Sequence, residues 1–424
     1  MAEINSRGEL KPTLGLLDAT AISIGAIVGA GIYVVTGIAA GSAGPALIVS
    51  MVLAAAISML TAMSFAELTA WKPIEGSIYE YAYQLISPFA GFLTGWMWVI
   101  SNTFAGAAVS LGFANYLCAL FPSLPSNIVA AVFCFLFTML NYFGIRQSAL
   151  LNNILVAAKL SILGFFTIYG FFHVNPSNFA SFNPFQVGVL SGAFYIFFAY
   201  GGFARVAVVA EEVKDARKNV PRAIMLSLAI STVVYILVGF VAVGLVEASR
   251  LAGSNSPLAE AISVTGNSLA VYIVSAGGLI ATASVLLTAV LGVSRMAYAM
   301  ARRKDLPQAL SRLHPKYNTP YLSIWIVGAT MMLLVLFVDI ARVVAISNFA
   351  LLFYYMLANV SALRLKMHNR MHPKIVPFLG AISCIALLIF TLFVLPQAWI
   401  LGAATLAAGV VYFWLKRLKG HGGS

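Results

Sequence analysis

Lys159 is the residue whose type and position most constrain what this chain can do. It lies in Val156-Ala157-Ala158-Lys159-Leu160-Ser161-Ile162-Leu163, nine residues beyond Leu150, where an apolar run begins. At 1.5 Å per residue that is about 14 Å of helix, close to the middle of a hydrocarbon core about 30 Å thick. A lysine there does not comfortably snorkel to either interface, and inserting one costs about 2.5 to 3.5 kcal/mol, so it should face the protein interior. Burial favours a neutral amine, which brings proton exchange into a working pH range. Two uses stay open: the amine takes up and releases a proton, or it stays charged and bridges helices.

Two stretches of backbone could hold ions by themselves. Ile24-Gly25-Ala26-Ile27-Val28-Gly29-Ala30-Gly31-Ile32-Tyr33 places three glycines in seven residues, each about 1 kcal/mol worse than alanine inside a helix. Phe197-Phe198-Ala199-Tyr200-Gly201-Gly202-Phe203 places a glycine pair at mid-run. Either could be a close helix contact, because small residues let membrane helices approach. Where a helix unwinds instead, free N–H groups and a positive helix N-terminus receive an anion, while freed carbonyls accept from an ammonium. A zwitterionic amino acid presents one of each.

Other polar residues carry less. Arg205, about 8 Å from the inner end of its run, could snorkel, pair with Glu211 or Glu212, gate the inner vestibule or select acidic side chains. Asn102 either faces the same pocket or bonds between helices, and Glu67 reads as part of an inner-end network. His173, His314, His368 and His372 show no metal-ligand spacing, and Cys118, Cys134 and Cys384 show no C-x-x-C, so neither a metal nor a cofactor is expected. Trp71, Trp96, Trp98, Trp399 and Trp414 read as interface anchors.

The elements that position these groups follow from composition. Of 424 residues 61% are hydrophobic and 9% charged, and mean hydropathy is +0.95, whereas soluble domains carry roughly 25% charge. A soluble enzyme is excluded, and a β-barrel would alternate polar and apolar residues. Twelve apolar runs stand out: Leu14 to Ala40, Pro45 to Trp71, Phe89 to Leu120, Asn127 to Gly144, Leu150 to Phe172, Val187 to Ala210, Ala223 to Val246, Ser268 to Ala301, Leu322 to Val338, Val343 to Leu365, Ile375 to Leu395 and Ala398 to Leu415. The start of the chain lacks a cleavable signal pattern, so the first run is expected to remain. With both termini in the cytoplasm, inside segments hold 20 Lys and Arg and outside loops only Arg250 and Arg342. That asymmetry explains the net charge of +12 as orientation in a lipid bilayer, with no nucleic-acid partner.

The two glycine-rich runs are the first and the sixth. A repeat of five spans reverses direction across the membrane, and paired interruptions in two inverted halves mark a transporter site. The halves are then residues 14–173 and 187–367, followed by two appended helices in 374–417, with tails 1–13 and 418–424.

At these residues the chain resembles the amino acid, polyamine and organocation (APC) transporter superfamily over almost its whole length. The Gly25 to Tyr33 run resembles the family's first-helix substrate motif. Ser64-Phe65-Ala66-Glu67-Leu68 with Pro73-Ile74-Glu75-Gly76-Ser77-Ile78-Tyr79 is similar to its cytoplasmic motif. Leu140-Asn141-Tyr142-Phe143-Gly144-Ile145-Arg146, the stretch Phe197 to Ile224, and Met296 to Ala301 with Asp305-Leu306-Pro307 resemble three further motifs in the right order. The resemblance implies an all-α membrane protein of about twelve helices with a LeuT-like 5+5 inverted repeat and interrupted first and sixth helices.

It also implies a site. The substrate carboxylate would meet backbone N–H groups at Gly29, Ala30 and Gly31, and the ammonium would meet carbonyls at Ile27, Phe198, Ala199 and Gly201. Phe198 and Phe203 would be aromatic walls, Phe198 the better gate. Ala30 stands where many relatives place Ser or Thr, so a hydroxyl bond is missing. In relatives that do not use sodium, a fifth-helix lysine resembles Lys159, with Ser284 of the eighth helix facing it. The expected function is amino acid transport across the cell membrane, coupled to protons and independent of sodium. A sodium-independent exchanger and a polyamine or organic cation antiporter are the alternatives, and the absence of a deep Asp or Glu weighs against the latter. A membrane-embedded enzyme lacks a catalytic cluster within the spans.

Overall fold

The computed structural model describes residues 12–73, 77–144, 148–366 and 370–421, the side chains of 77 and 419–421 excepted. Glu75 and neighbouring motif residues, Ile145, Arg146, His368, residues 1–11 and residues 422–424 lie outside the described residues. Apart from one isolated bridge between Leu14 and Val213, the described chain is helical.

The first run forms α1 (Leu16–Ile27), a π-helical turn (Gly31–Val35) and α2 (Thr36–Ala43). The chain reverses at Gly44, whose φ of +58° suits glycine, and continues as α3 (Leu47–Trp71). A short helix, α4 (Ser77–Leu85), precedes α5 (Pro88–Leu120), α6 (Ser126–Tyr142) and α7 (Ala149–Phe171). The sixth run splits into α8 (Val187–Tyr200) and α9 (Arg205–Val208). Then come α10 (Ala216–Leu245), the short α11 (Ala248–Gly253) and α12 (Pro257–Ser263), and α13 (Ser268–Arg302). The chain closes with α14 (Tyr321–Phe337), α15 (Ile340–Arg364), α16 (Ile375–Val394) and α17 (Pro396–His421).

Among the described residues nine segments are long and apolar enough to cross a membrane, counting Leu16–Trp71 as one, and α6 and α14 are shorter apolar helices. Four of their starts, those of α5, α7, α13 and α15, carry side-chain caps that satisfy orphan N–H groups. Ser87 accepts from Ala90 N–H, Ser148 from Leu151 N–H, Asn267 from Leu269 and Ala270 N–H, and Asp339 from Arg342 N–H.

The connections between helices fall into two groups that touch among themselves. In one, Arg303 meets Glu80 at 2.6 Å, Lys416 meets Asp305 at 3.3 Å, Arg370 meets Glu67 at 2.7 Å and Lys214 N–H donates to Leu14 O. These are the basic segments expected to share a side. In the other, Gln186 donates to Ala43 O, Asn175 N–H to Gly244 O and Asn267 to the Tyr169 hydroxyl. At the basic end the Tyr79 hydroxyl donates to Asp305 at 2.5 Å, and burial followed by that carboxylate pushes the phenol above its usual range.

Candidate binding site at the two helix breaks

Both glycine-rich runs are broken where the sequence places the glycines. Val28 leaves the helix (φ −77°, ψ 94°), Gly29 bends, and the helix resumes at Gly31; residues 201–204 form turns between α8 and α9. The glycines divide into two tasks. A Cβ on Gly31 would lie 2.4 Å from Ala199 Cα, and one on Gly202 would lie 2.3 Å from the Ala26 carbonyl carbon. Backbone therefore meets backbone at two points, and only glycine fits there. At Gly29 and Gly201 an added Cβ would first meet side chains, those of Val285 and Leu351, and all four glycines border a cavity.

That cavity is tight, about 50 Å³, with room for a few water molecules. Ile27, Gly29, Ala30 and Gly31 line it from the first break, Phe198 and Gly201 from the second, and Asn102 and Arg205 from the side. The N–H groups of Gly29 and Ala30 donate to no acceptor among the described residues, so the start of the second half-helix offers donors into this space.

The carbonyl side is more occupied than the sequence suggests. The Tyr235 hydroxyl bridges both breaks, 2.9 Å from Ile27 O and 3.3 Å from Ala199 O, and the Tyr355 hydroxyl donates to Gly201 O at 3.0 Å. Each carbonyl has a second lone pair, so these bonds orient it without exhausting it. Ala199 does not line the cavity. Phe203 is fully buried edge-on to Phe65 and packed on Tyr355, which makes it a support behind the site and not a wall of it.

Lys159 is fully buried on α7. Its ammonium donates to Gly25 O and Val28 O, each at 2.9 Å. Those carbonyls belong to the last turn of α1, where the break removes the helical donors, so the lysine caps a helix C-terminus with a positive charge. Ser284 does not join it: its hydroxyl donates to Ala281 O of its own helix at 3.1 Å. The next residue, Val285, lines the cavity instead.

Arg205 turns inward and neither snorkels nor pairs with Glu211 or Glu212. Its guanidinium donates to Asn102 Oδ1 at 2.8 Å and Thr288 O at 3.0 Å, and lies 5.9 Å from the centre of the Trp98 ring. Asn102 thus faces the pocket and bonds between helices at once. Trp98, read as an interface anchor, is buried beneath Arg205 because a cation over an aromatic face is favourable. Trp98 also borders a second cavity of about 530 Å³ lined by Glu80, Arg302 and Arg303.

Comparison with known proteins identifies the chain at this point. The family model described as amino acid permease matches residues 14–415. The chain belongs to the amino acid permease family. It is 35% identical to an uncharacterized transporter of Mycobacterium bovis, covering 97% of this chain and 92% of that one. It is 31% identical to the methylthioribose transporter of Bacillus subtilis, covering 97% and 94%, and 31% identical to that organism's branched-chain amino acid permease, covering 92% and 90%. The permease is therefore a multi-pass membrane transporter by family.

Sequence reading of the permease missed Tyr235, Tyr355 and the reciprocal pair Ser101 and Ser347, whose hydroxyls donate to each other's carbonyls at 2.9 and 2.8 Å. A tyrosine or serine within an apolar run carries no motif. Only its depth, opposite a broken helix, marks it.

Proposed function

We propose that this permease carries an amino acid across the cell membrane by alternating access, coupled to a proton through Lys159. The carrying observation is the pair of 2.9 Å bonds from Lys159 to Gly25 O and Val28 O, because it ties a buried ionisable group to the same break whose N–H groups open on the cavity. In this reading the substrate carboxylate sits on the N–H groups of Gly29, Ala30 and Gly31. The ammonium meets the carbonyls of Ile27, Phe198 and Gly201, and Phe198 closes over it. When Lys159 loses its proton the bonds to the two carbonyls lose their charge assistance and weaken, and the half-helix is freed to move.

In this reading the chain makes twelve crossings. Leu16–Trp71 is 56 residues, about 84 Å if straight, and must fold back within a core of about 30 Å, as the reversal at Gly44 allows. That division makes ten long crossings, and α6 and α14, at 17 residues each, supply about 26 Å apiece. The breaks then fall in the first and sixth crossings, which fits inverted halves at 14–173 and 187–367, appended helices in 374–417 and cytoplasmic termini.

A sodium-independent exchanger is the second reading, favoured by the same two bonds if the ammonium never loses its proton. Uptake by reconstituted vesicles separates them. Proton coupling predicts accumulation driven by an inward pH gradient without sodium and abolished in Lys159→Ala; uptake indifferent to the gradient would leave exchange. A polyamine substrate is disfavoured because no Asp or Glu lines the cavity.

A further inference from the structure

We infer that the preferred substrate carries a second carboxylate, and that Arg205 receives it. This deepens the transport reading and rests on it. The central cavity is lined by one charged side chain, Arg205, and by no acid. Lys159 stands behind the first break, so two cations flank the region where substrate would sit. Among the described Asp and Glu, the fully buried one, Glu67, is committed to Arg370 at 2.7 Å. Nothing in the cavity lining balances Arg205.

Its present partners are all neutral: Asn102 Oδ1, Thr288 O and the face of Trp98. A guanidinium has five N–H donors, and two are used among the described residues. The planar fork that remains matches a carboxylate, and an interior cation without a counter-charge gains most from a ligand that brings one. The backbone N–H groups of Gly29 and Ala30 already suit an α-carboxylate, so Arg205 is left to read the side chain. Its place is built for it: a Cβ on Gly292 would come within 2.9 Å of Arg205 Nη1, so glycine there makes the room that the guanidinium occupies. Lysine and arginine as substrates would bring like charge to the same fork and be rejected.

The test is uptake of labelled glutamate, aspartate, leucine and lysine by proteoliposomes of the full chain, with thermal shifts of the purified wild type against the same four. The expected result is a preference for the two acidic amino acids of about tenfold or more, with Arg205→Gln removing that preference while leucine uptake persists or rises. Equal or better handling of leucine or lysine by the wild type overturns the inference and leaves the transport reading intact. Arg205→Gln reducing all substrates alike also overturns it, assigning Arg205 to the shared α-carboxylate or to packing. The wild-type thermal shifts decide the matter if that variant does not fold. Uptake of no amino acid overturns both.

Discussion

The Lys159 ammonium bridges the carbonyls of Gly25 and Val28, so the fifth apolar run holds the broken end of the first. Replacing Lys159 with Met removes two charge-assisted bonds worth about 1.5 to 3 kcal/mol each. It also removes a buried lysine that costs about 2.5 to 3.5 kcal/mol to insert. The two effects nearly cancel, and we expect Lys159→Met to fold and lose about 1 to 2 kcal/mol, measured by unfolding in detergent. A collapse of stability by several times that would show the lysine to be chiefly a structural staple.

Gly202→Ala should be far more damaging than its size suggests. The new Cβ meets backbone, the Ala26 carbonyl carbon at 2.3 Å and oxygen at 2.4 Å, which cannot rotate away. We expect a loss above about 2 kcal/mol and no transport. Gly164→Ala on α7, with nothing within 4 Å of the added Cβ, should instead stabilise by about 0.5 to 1 kcal/mol. Parallel thermal unfolding of the two variants checks the contrast.

Tyr235→Phe removes one hydroxyl that touches both breaks, at Ile27 O and Ala199 O. The expected cost is about 1 to 3 kcal/mol. Because the hydroxyl couples the two half-helix ends, initial uptake rates should fall more than substrate affinity does, which a comparison of uptake kinetics with equilibrium binding would reveal.

The Glu67 and Arg370 pair closes the basic end. Glu67 is fully buried, and Arg370 also donates to Ala362 O. Arg370→Gln strands a buried carboxylate and should cost about 3 to 5 kcal/mol. Adding Glu67→Gln to it should recover much of that loss, a double-mutant cycle readable by denaturation.

Much of the helical layout was legible because apolar runs and glycine breaks are local signals. Helix α13 runs Ser268–Arg302 against an expected Ser268 to Ala301, and both interruptions fall on the glycines. Short helices were not legible: α4, α11 and α12 lie outside the long runs and have at most nine residues each, too few to show a helical period. Lys159 was placed correctly inside, since depth follows from residue count. Its partners were not, because a helix residue's facing neighbour depends on rotation, which put Val285 and not Ser284 on the cavity. Two of the readings of Arg205, snorkelling and pairing with Glu211 or Glu212, fail for a related reason: distance from a helix end says how far a side chain could reach outward, and nothing about an Asn and a Trp waiting inward.

The most direct test follows protons and not substrate. Proteoliposomes containing a pH-sensitive dye, at equal pH on both sides and without sodium, are given substrate from outside. The account predicts internal acidification on substrate addition with the wild type and none with Lys159→Met, although the variant still binds substrate. Acidification that persists in Lys159→Met, or wild-type uptake with no proton movement, would contradict it.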